Sequence, residues 1–219
     1  MLSRIPLQLL ERYKPLSTWE SFYLRTRWRL CPFEIVESHV PRRGRIFDFG
    51  CGYGMLSNFL ALKSPARRVI GIDLNKARIE VAKRSSTGHP QISFQLGDVR
   101  GFQGIPFDAV VMTDVLHHID DDNVRVLLRI IRSCLSDHGT LVVLDVDRSP
   151  FPKFYATYDR LLNLTRSLHY RSRDLLTRLI EQSGFRVRQV VLADRDLPLS
   201  DMIYVCKKKD SEDRGSQGI

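Results

Sequence analysis

The chain alternates between short apolar runs and longer segments in which apolar residues recur every three or four positions. Short runs bounded by glycine or aspartate are typical of buried strands, whereas the longer spacing is typical of amphipathic helices. Residues 120–136 show the helical spacing, with apolar side chains at Val124, Leu127, Leu128, Ile131 and Leu135 and arginines between them. Strands that alternate with such helices predict a parallel, doubly wound α/β sheet.

The same patterns place the remaining elements along the chain. Strands are predicted around Ile46 and Phe47 and at residues 69–73, 91–99, 107–114, 139–145, 185–193 and 201–207. Helices are predicted at residues 56–62, 76–84 and 174–182. Asn75 is a predicted N-cap, and Ser17 with Glu20 forms a capping box that opens a further helix near the N-terminus.

A glycine-rich turn follows the first predicted strand in the run Asp48-Phe49-Gly50-Cys51-Gly52-Tyr53-Gly54. Glycines allow positive φ and close approach of a ligand to the backbone, and the start of the next helix offers free N–H groups. A dinucleotide-binding loop has the spacing G-x-G-x-x-G and closes on a pyrophosphate. Here the third glycine comes one residue early and an acid precedes the first, which favours a cationic ligand without phosphate.

This D-x-G-x-G-x-G pattern resembles the first motif of class I S-adenosylmethionine-dependent methyltransferases, and further landmarks follow in the family's order. They are the acid-terminated strand 69–73, Gly97-Asp98-Val99, the turn Asp114-Val115-Leu116-His117-His118, and the strand 139–145. The resemblance covers mainly residues 42–146, and the His-His turn is similar to that of the quinone-biosynthesis branch. It implies a Rossmann-like seven-stranded sheet in the order 3-2-1-4-5-7-6 with strand 7 antiparallel, N-terminal helices, and a helical insert after strand 5.

The resemblance also implies the cofactor, S-adenosyl-L-methionine, and the residues that bind it. Asp73 would accept the ribose hydroxyls, Asp98 with Val99 would hold the adenine, and Asp114 would lie beside the methionine group. Asp48 would either favour the ammonium or cap the loop without touching the ligand. The full implied set is Asp48, Gly50, Gly52, Gly54, Asp73, Leu74, Asp98, Val99 and Asp114.

The acceptor side is less defined by the sequence. His117 or His118, at the end of the fourth strand, is the candidate base if the acceptor must lose a proton, although a structural role for the pair is an open alternative. The aromatic insert 148–170 is expected to cap the acceptor, with Tyr155 and Tyr158 as contacts. No metal is expected, because the four cysteines are far apart and lack ligand spacing.

The expected organisation is an N-terminal helical lid at 1–40, a methyltransferase domain at 41–209 and a flexible tail at 210–219. The first helix carries Phe22, Tyr23 and Trp28 among arginines, so it either packs on the sheet or lies on a membrane surface. No apolar stretch is long enough to span a bilayer and no targeting peptide is recognised, so a cytoplasmic location is expected, with peripheral membrane contact left open.

The formal charge of +9 on 219 residues, 43% of them hydrophobic, fits one α/β domain. The excess of basic residues has three possible explanations, which are solvated helix faces, an anionic partner, or binding to nucleic acid. The turn after strand four lacks the Asn/Asp-Pro-Pro-Tyr/Phe motif of adenine and glutamine methyltransferases, and no cysteine nucleophile is there. A small-molecule acceptor, lipid-like or bound to an acyl carrier, is therefore favoured over RNA. The oligomeric state is open.

The sequence thus predicts an S-adenosylmethionine-dependent methyltransferase that transfers a methyl group to oxygen or carbon of a hydrophobic or aromatic small molecule. Two alternatives remain, an RNA methyltransferase that uses its basic C-terminal half and a non-catalytic binding protein with the same fold. A nicotinamide-dependent oxidoreductase is disfavoured by the glycine spacing.

Overall fold

The computed structural model describes residues 4–102, 105–147, 168–193 and 201–209. The helices are α1 (Leu7–Glu11), α2 (Thr18–Leu30), α3 (Phe33–Ser38), α4 (Met55–Lys63), α5 (Lys76–Ser85), α6 (Asp121–Cys134) and α7 (Arg173–Gln182). The strands are β1 (Gly44–Phe49), β2 (Arg67–Asp73), β3 (Ile92–Leu96), β4 (Phe107–Thr113), β5 (Leu135–Val146), β6 (Phe185–Leu192) and β7 (Asp201–Lys208). Two short 3₁₀ turns, Val99–Phe102 and Leu116–His118, follow β3 and β4.

The seven strands form one sheet in the order β3-β2-β1-β4-β5-β7-β6. Strands β1 to β5 pair in parallel, while β7 runs antiparallel to both β5 and β6. At the centre, Phe47 of β1 lies opposite Ile70 of β2 on one side and Val110 of β4 on the other. The sheet confirms the predicted fold class, and its change of winding direction between β1 and β4 opens a crevice at the carboxyl ends of these strands.

Alternate residues of β1 serve two separate cores. Ile46 belongs to a cluster with α4, α5 and the N-terminal helices, whereas Phe47 belongs to a cluster with α6 and α7. Both side chains are fully buried, as period-two alternation in a sheet covered on both faces requires. The doubly wound architecture therefore follows from consecutive apolar residues in the central strands, which bury side chains on both faces of the sheet.

The predicted helix caps are present. Ser17 and Glu20 form the capping box of α2, and Asn75 caps α5. Asp120, which was not predicted as a cap, caps α6. The third strand ends at Leu96, earlier than predicted, because the Asp98 carboxylate accepts the Arg100 N–H and turns the chain into a 3₁₀ turn. Residues 148–167, which hold most of the predicted helical insert, and the predicted tail 210–219 lie outside the described residues.

The N-terminal helices pack directly on α4. Trp28 of α2 is buried, and its ring meets Phe59 edge-on at 5.0 Å and Phe33 at 5.7 Å between centroids. Leu24 of α2 is fully buried in the same cluster. Among the described residues no helix combines the length and the apolar character needed to cross a bilayer.

A buried arginine ties the N-terminal segment to the sheet. The Arg67 side chain is fully buried and donates to the Glu37 carboxylate at 2.7 Å. It also donates to the carbonyl oxygens of Val40, Pro41 and Leu60 at 2.7 to 2.9 Å. Because four of the five N–H donors of this cation are hydrogen-bonded, its burial beside one carboxylate is tolerated.

Candidate functional site

A cavity of about 370 Å³ opens at the carboxyl ends of β1, β2 and β4. Its polar lining includes Arg27, Asp73, Arg78, Asp98, Asp114 and His118, together with backbone of the glycine loop. Its apolar and aromatic lining includes Tyr23, Phe33, Phe49, Tyr53, Met55, Leu56, Leu74, Val115 and Ile119. The cavity thus has a charged wall and an aromatic wall, and it lies in the crevice between the carboxyl ends of β1 and β4.

The glycine loop needs its glycines for two different reasons. Gly50, Gly52 and Gly54 all have positive φ, at 73°, 55° and 75°. A Cβ on Gly54 would lie 2.3 Å from the Phe94 ring, so this glycine serves internal packing. A Cβ on Gly52 would meet only the Tyr23 hydroxyl, at 4.0 Å, so this glycine faces the open cavity. The loop therefore presents bare backbone to whatever the cavity binds.

Asp73 is held rigidly at the end of β2. One carboxylate oxygen accepts the Gly52 N–H at 2.9 Å, and the other accepts the Asn75 N–H at 2.8 Å. Each carboxylate oxygen has a second lone-pair position, so both can still accept a hydroxyl from a ligand. The adjacent Leu74 is mostly exposed and lines the same part of the cavity.

The segment after β3 contributes one polar and one apolar residue. Asp98 lines the cavity, and its carboxylate accepts bonds from the Arg100 backbone and guanidinium, which hold the pKa of that carboxyl below its usual range. Val99 is buried against Phe102 in the core and is not among the cavity-lining residues. Gly97 lies between the cavity and open space, with no atom within 4 Å of an added Cβ.

Asp48 lies beneath the glycine loop and is fully buried. Its Oδ2 accepts the Ser57 hydroxyl at 2.6 Å, while its Oδ1 has no hydrogen-bond partner among the described residues. Burial, assisted by the negative charge of Asp73, raises the pKa of Asp48 to about 6. Asp48 is not among the cavity-lining residues, and its partner Ser57 belongs to the first turn of α4.

Arg27 is a cavity residue that the sequence did not indicate. Its guanidinium pairs with Asp114 Oδ2 at 2.6 Å, and only 19% and 8% of the two side chains are exposed. Asp114 adopts a positive φ of 54°, and its buried Oδ1 has no hydrogen-bond partner within the described ranges. An opposite pair of charges therefore lies on the cavity wall where β4 ends.

The two candidate histidines occupy different layers. His117 is buried behind the cavity, where its Nδ1 is 2.5 Å from Asp145 Oδ1 and its backbone N–H donates to Asp145 Oδ2 at 3.0 Å. His118 lines the cavity, and its ring packs against that of His117 at 4.2 Å. Asp145 is the penultimate residue of β5, and the parallel pairing of β4 with β5 brings it close to the end of β4.

His169, near the end of the predicted insert, and Arg171, just after it, hold this turn in place. His169 N–H donates to the His117 carbonyl at 2.7 Å, and the buried Arg171 donates to the carbonyls of Leu116 and Ile119 and to Asp121. The backbone that presents His118 is therefore fixed from both sides. Tyr155 and Tyr158, the predicted acceptor contacts, lie outside the described residues.

One group in the described part of the chain has the side chains to bind a metal. The ligand atoms of Asp114, His117 and Asp145 lie within 4.8 Å of one another. Asp114 is already paired with the Arg27 guanidinium, and a second cation beside that charge would be repelled. The group is better explained as the hydrogen-bonded support of the His117–His118 turn.

Comparison with known proteins connects this site to a chemistry. A family model described as a methyltransferase domain matches residues 24–190. An uncharacterized methyltransferase of Bacillus cereus is 27% identical over 165 residues, which cover 70% of this chain and 76% of the relative. The mitochondrial ubiquinone biosynthesis O-methyltransferase of Candida albicans is 33% identical over 117 residues, covering 51% of this chain and 35% of that protein.

Two solved structures show the same fold at low sequence identity. The pyocyanin biosynthetic protein PhzM has a TM-score of 0.70 at 18% identity over 91% of this chain. The O-methyltransferase NcsB1 from neocarzinostatin biosynthesis, solved with S-adenosylmethionine and 2-hydroxy-5-methyl naphthoic acid, has a TM-score of 0.68 at 18% identity over 87% of this chain. This chain spans only 61% and 56% of those two proteins.

Proposed function

This chain belongs to the methyltransferase domain family and is an S-adenosylmethionine-dependent methyltransferase; from this premise we propose that it methylates a hydroxyl oxygen of a hydrophobic or aromatic small molecule. One observation carries the proposal. A single cavity contains the polar groups suited to the donor, an aromatic and apolar lining suited to such an acceptor, and His118.

The residues present fit the donor. S-Adenosylmethionine carries a ribose diol, an adenine, a sulfonium and a zwitterionic amino-acid end. The fixed carboxylate of Asp73 suits the diol, and the exposed backbone of Gly52 permits close approach. The Asp114 carboxylate and the Arg27 guanidinium, both on the cavity wall, suit the ammonium and the carboxylate of the amino-acid end. We assign these four residues to donor binding, with Asp98 and Leu74 beside the adenine.

The bound donor supplies a methyl group on a sulfonium that departs as a neutral thioether. The chain's own contribution is alignment, because methyl transfer needs the acceptor oxygen in line with the bond that breaks. The aromatic lining, with Tyr23, Phe33 and Tyr53, excludes water and binds an apolar acceptor. His118 then accepts the proton that the acceptor hydroxyl loses.

His118 is favoured over His117 as the base because it lines the cavity. His117 is bound to Asp145 and stacked behind His118, an arrangement that suits orientation of the neighbouring ring. The names of two similar proteins support oxygen over carbon, since the Candida protein and NcsB1 are both O-methyltransferases. Linkage of the acceptor to a lipid or carrier remains part of this proposal.

The basic charge gives little support to an RNA acceptor. Several cations in the described C-terminal half serve internal contacts. Arg171 is buried, Arg132 donates to the carbonyls of Gly184 and Lys209, and Lys207 donates to the His138 carbonyl. Cations that satisfy backbone carbonyls in this way contribute less to a surface that binds phosphates.

The donor assignment is tested by isothermal titration with S-adenosylmethionine. We expect binding by the wild-type chain, and a loss of at least tenfold in affinity for Asp73→Ala, whose carboxylate would no longer accept hydroxyls. Asp108→Ala, which changes a carboxylate at the opposite end of the sheet where it accepts the Arg45 N–H, is the matched control. Equal affinities for wild type and Asp73→Ala would contradict the assignment.

The acceptor assignment is tested by methyl transfer from labelled donor to a panel of phenols, hydroxylated quinone precursors and apolar alcohols. His118→Asn should lower kcat for a responsive acceptor by about a hundredfold or more while donor affinity is unchanged, and should remove the acidic limb of the pH profile. Transfer to carbon alone, or unchanged turnover in His118→Asn, would refute the proposal.

A further inference from the structure

A buried hydrogen bond joins the N-terminal segment of the chain to the glycine loop. Tyr13 lies two residues beyond α1 and is only 3% exposed, and its hydroxyl donates to the carbonyl oxygen of Tyr53 at 3.1 Å. Tyr53 belongs to the glycine loop and lines the cavity. Tyr13 is not among the cavity-lining residues, so it contacts the loop without bordering the space that the donor would fill.

This bond fixes the plane of one peptide unit in the loop. The carbonyl of Tyr53 and the N–H of Gly54 belong to the same planar unit and point in opposite directions. The carbonyl accepts the Tyr13 hydroxyl, while the N–H donates to the Cys51 carbonyl at 2.8 Å and closes the turn 51–54. That turn includes Gly52, whose backbone faces the cavity. Tyr13 therefore holds, from outside the loop, the turn that presents Gly52.

A second side chain of the same buried cluster reaches the next carbonyl of the loop. The Asn58 amide of α4 donates to the Gly54 carbonyl at 2.9 Å and to the Ser85 hydroxyl at 2.8 Å, and it lies 3.3 Å from the Tyr13 hydroxyl. Arg12 donates to the Asn58 side-chain oxygen at 3.1 Å. The N-terminal segment, α4 and α5 thus meet in one polar cluster that contacts the loop backbone.

Tyr13 is itself held in place. Leu9 of α1 is fully buried in the cluster that includes residues of α4 and α5, and the Tyr13 N–H donates to the Leu10 carbonyl at 3.1 Å. Burial raises the pKa of the Tyr13 phenol, so the hydroxyl keeps its proton at neutral pH and remains a donor. The hydroxyl is therefore positioned by the packing of a short helix, outside the sequence of the loop.

We propose that Tyr13 is a positioning residue of the donor site, which holds the turn 51–54 in the conformation that binds S-adenosylmethionine. The inference rests on the proposed assignment of the Gly52 backbone to the donor. A loop that is already ordered loses little further conformational entropy when its ligand binds. Removal of the Tyr13 hydroxyl should therefore weaken donor binding, although Tyr13 does not border the donor's space.

The test compares Tyr13→Phe with the control Ser183→Ala. The first change removes the hydroxyl and retains the ring. The second removes a buried hydroxyl that donates to the Leu179 carbonyl at 2.7 Å, at the end of α7 and outside the cavity lining. Because each variant loses one buried hydroxyl bound to a backbone carbonyl, their losses of overall stability should be similar. Thermal unfolding gives both midpoints, and the other measurements are made well below the lower one.

Two measurements separate positioning of the loop from a general loss of stability. Hydrogen exchange of residues 50–54, followed by mass spectrometry without donor, should be about threefold faster or more in Tyr13→Phe and unchanged in Ser183→Ala. Calorimetry should show that Tyr13→Phe binds S-adenosylmethionine about three- to tenfold more weakly than the wild type. Ser183→Ala should bind it with wild-type affinity.

The inference is overturned if exchange of the loop rises no more in Tyr13→Phe than in Ser183→Ala, or if Tyr13→Phe binds S-adenosylmethionine as tightly as the wild type does. Asp73→Ala, titrated alongside, separates this result from failure of the donor assignment. Weakened binding by Asp73→Ala with full binding by Tyr13→Phe refutes the role of Tyr13 alone. Full binding by Asp73→Ala refutes the donor assignment, and the exchange measurement still decides whether Tyr13 holds the turn.

Discussion

Asp48→Asn is the substitution with the sharpest expected consequence, because it removes a charge from the interior without changing the size of the side chain. Asp48 is fully buried beneath the glycine loop, and one of its two oxygens has a described hydrogen-bond donor, the Ser57 hydroxyl. Burial is the main reason that its pKa rises from an ordinary value of 3.8 to about 6. The negative charge of Asp73 adds to the rise, and the bonds from Ser57 oppose it.

The raised pKa implies a cost to stability at neutral pH. In the unfolded chain the carboxyl loses its proton near pH 4, whereas in the folded chain it keeps the proton until about pH 6. The protein therefore becomes less stable as pH rises between these values, by about 3 kcal/mol in all. About half of that loss has already occurred at pH 5.

Asparagine cannot ionise, so Asp48→Asn should be more stable than the wild type at pH 8, by up to about 3 kcal/mol. At pH 5 the gain should fall to roughly half of that value. Urea unfolding at both pH values gives the two free energies of unfolding for each protein. Asp137→Asn, at a residue with a 98% exposed side chain, is the control and should change little at either pH.

The reasoning fails if Asp48→Asn and the wild type lose stability in parallel between pH 5 and pH 8, or if the variant is the less stable protein at pH 8.

The same substitution that raises stability should lower the affinity for the donor. A buried carboxylate near the cavity stabilises a cationic donor, so the variant should bind S-adenosylmethionine about tenfold more weakly. It should lose less affinity for S-adenosylhomocysteine, which lacks the sulfonium charge.

Three further predictions concern the loop, the buried ion pair and the cavity arginine. Gly54→Ala should destabilise the protein by about 2 kcal/mol more than Gly88→Ala in thermal unfolding. Both glycines have positive φ, but only at Gly54 would the new methyl group collide with another side chain, the Phe94 ring. Equal losses of stability in the two variants would contradict this explanation. Arg67→Met should lower the free energy of unfolding in urea by about 3 to 5 kcal/mol, because it leaves the Glu37 carboxylate unpaired. The double variant Arg67→Met with Glu37→Leu should recover most of that loss. If the effects of the two single substitutions simply add in the double variant, the two residues are not coupled and the reasoning is wrong. Arg27→Met should weaken S-adenosylmethionine binding about tenfold in calorimetry, less so in high salt, and unchanged binding would remove Arg27 from the donor site.

The sheet could be predicted because its strands are marked by local patterns. Central strands such as β1 and β4 are apolar at consecutive positions, and helices α2 and α5 carry recognisable caps at Ser17 and Asn75. Boundaries were less predictable where a side chain turned the backbone, as Asp98 does after β3. The strand order itself came from family resemblance, since periodicity gives the type of an element and not its neighbours.

The site contacts that the sequence did not reveal are long-range pairs. Arg27 approaches Asp114 because α2 packs over α4, and no pattern within α2 distinguishes Arg27 from Arg25 or Arg29. The pairing of Asp145 with His117 had a weaker signal, since both residues follow or end neighbouring parallel strands. Which of the two histidines lines the cavity depends on the 3₁₀ turn Leu116–His118. That turn is held by residues far along the chain, His169 and Arg171, which donate to its backbone carbonyls and to that of Ile119.

The difference between local motifs and long-range pairs explains why the sequence defines the donor-binding residues better than the acceptor-binding ones. The donor wall is built from strand ends and the loops directly after them, where each motif fixes its own geometry through backbone bonds such as that from Gly52 to Asp73. The rest of the cavity is walled by side chains from α2 and α3, such as Tyr23 and Phe33, which depend on packing and not on any motif. Substitutions in the N-terminal helices can therefore change which acceptor binds while the donor-binding loops stay the same. Arg27 is the exception, because it reaches from α2 to Asp114 at the end of β4, so a change at this residue would also affect donor binding.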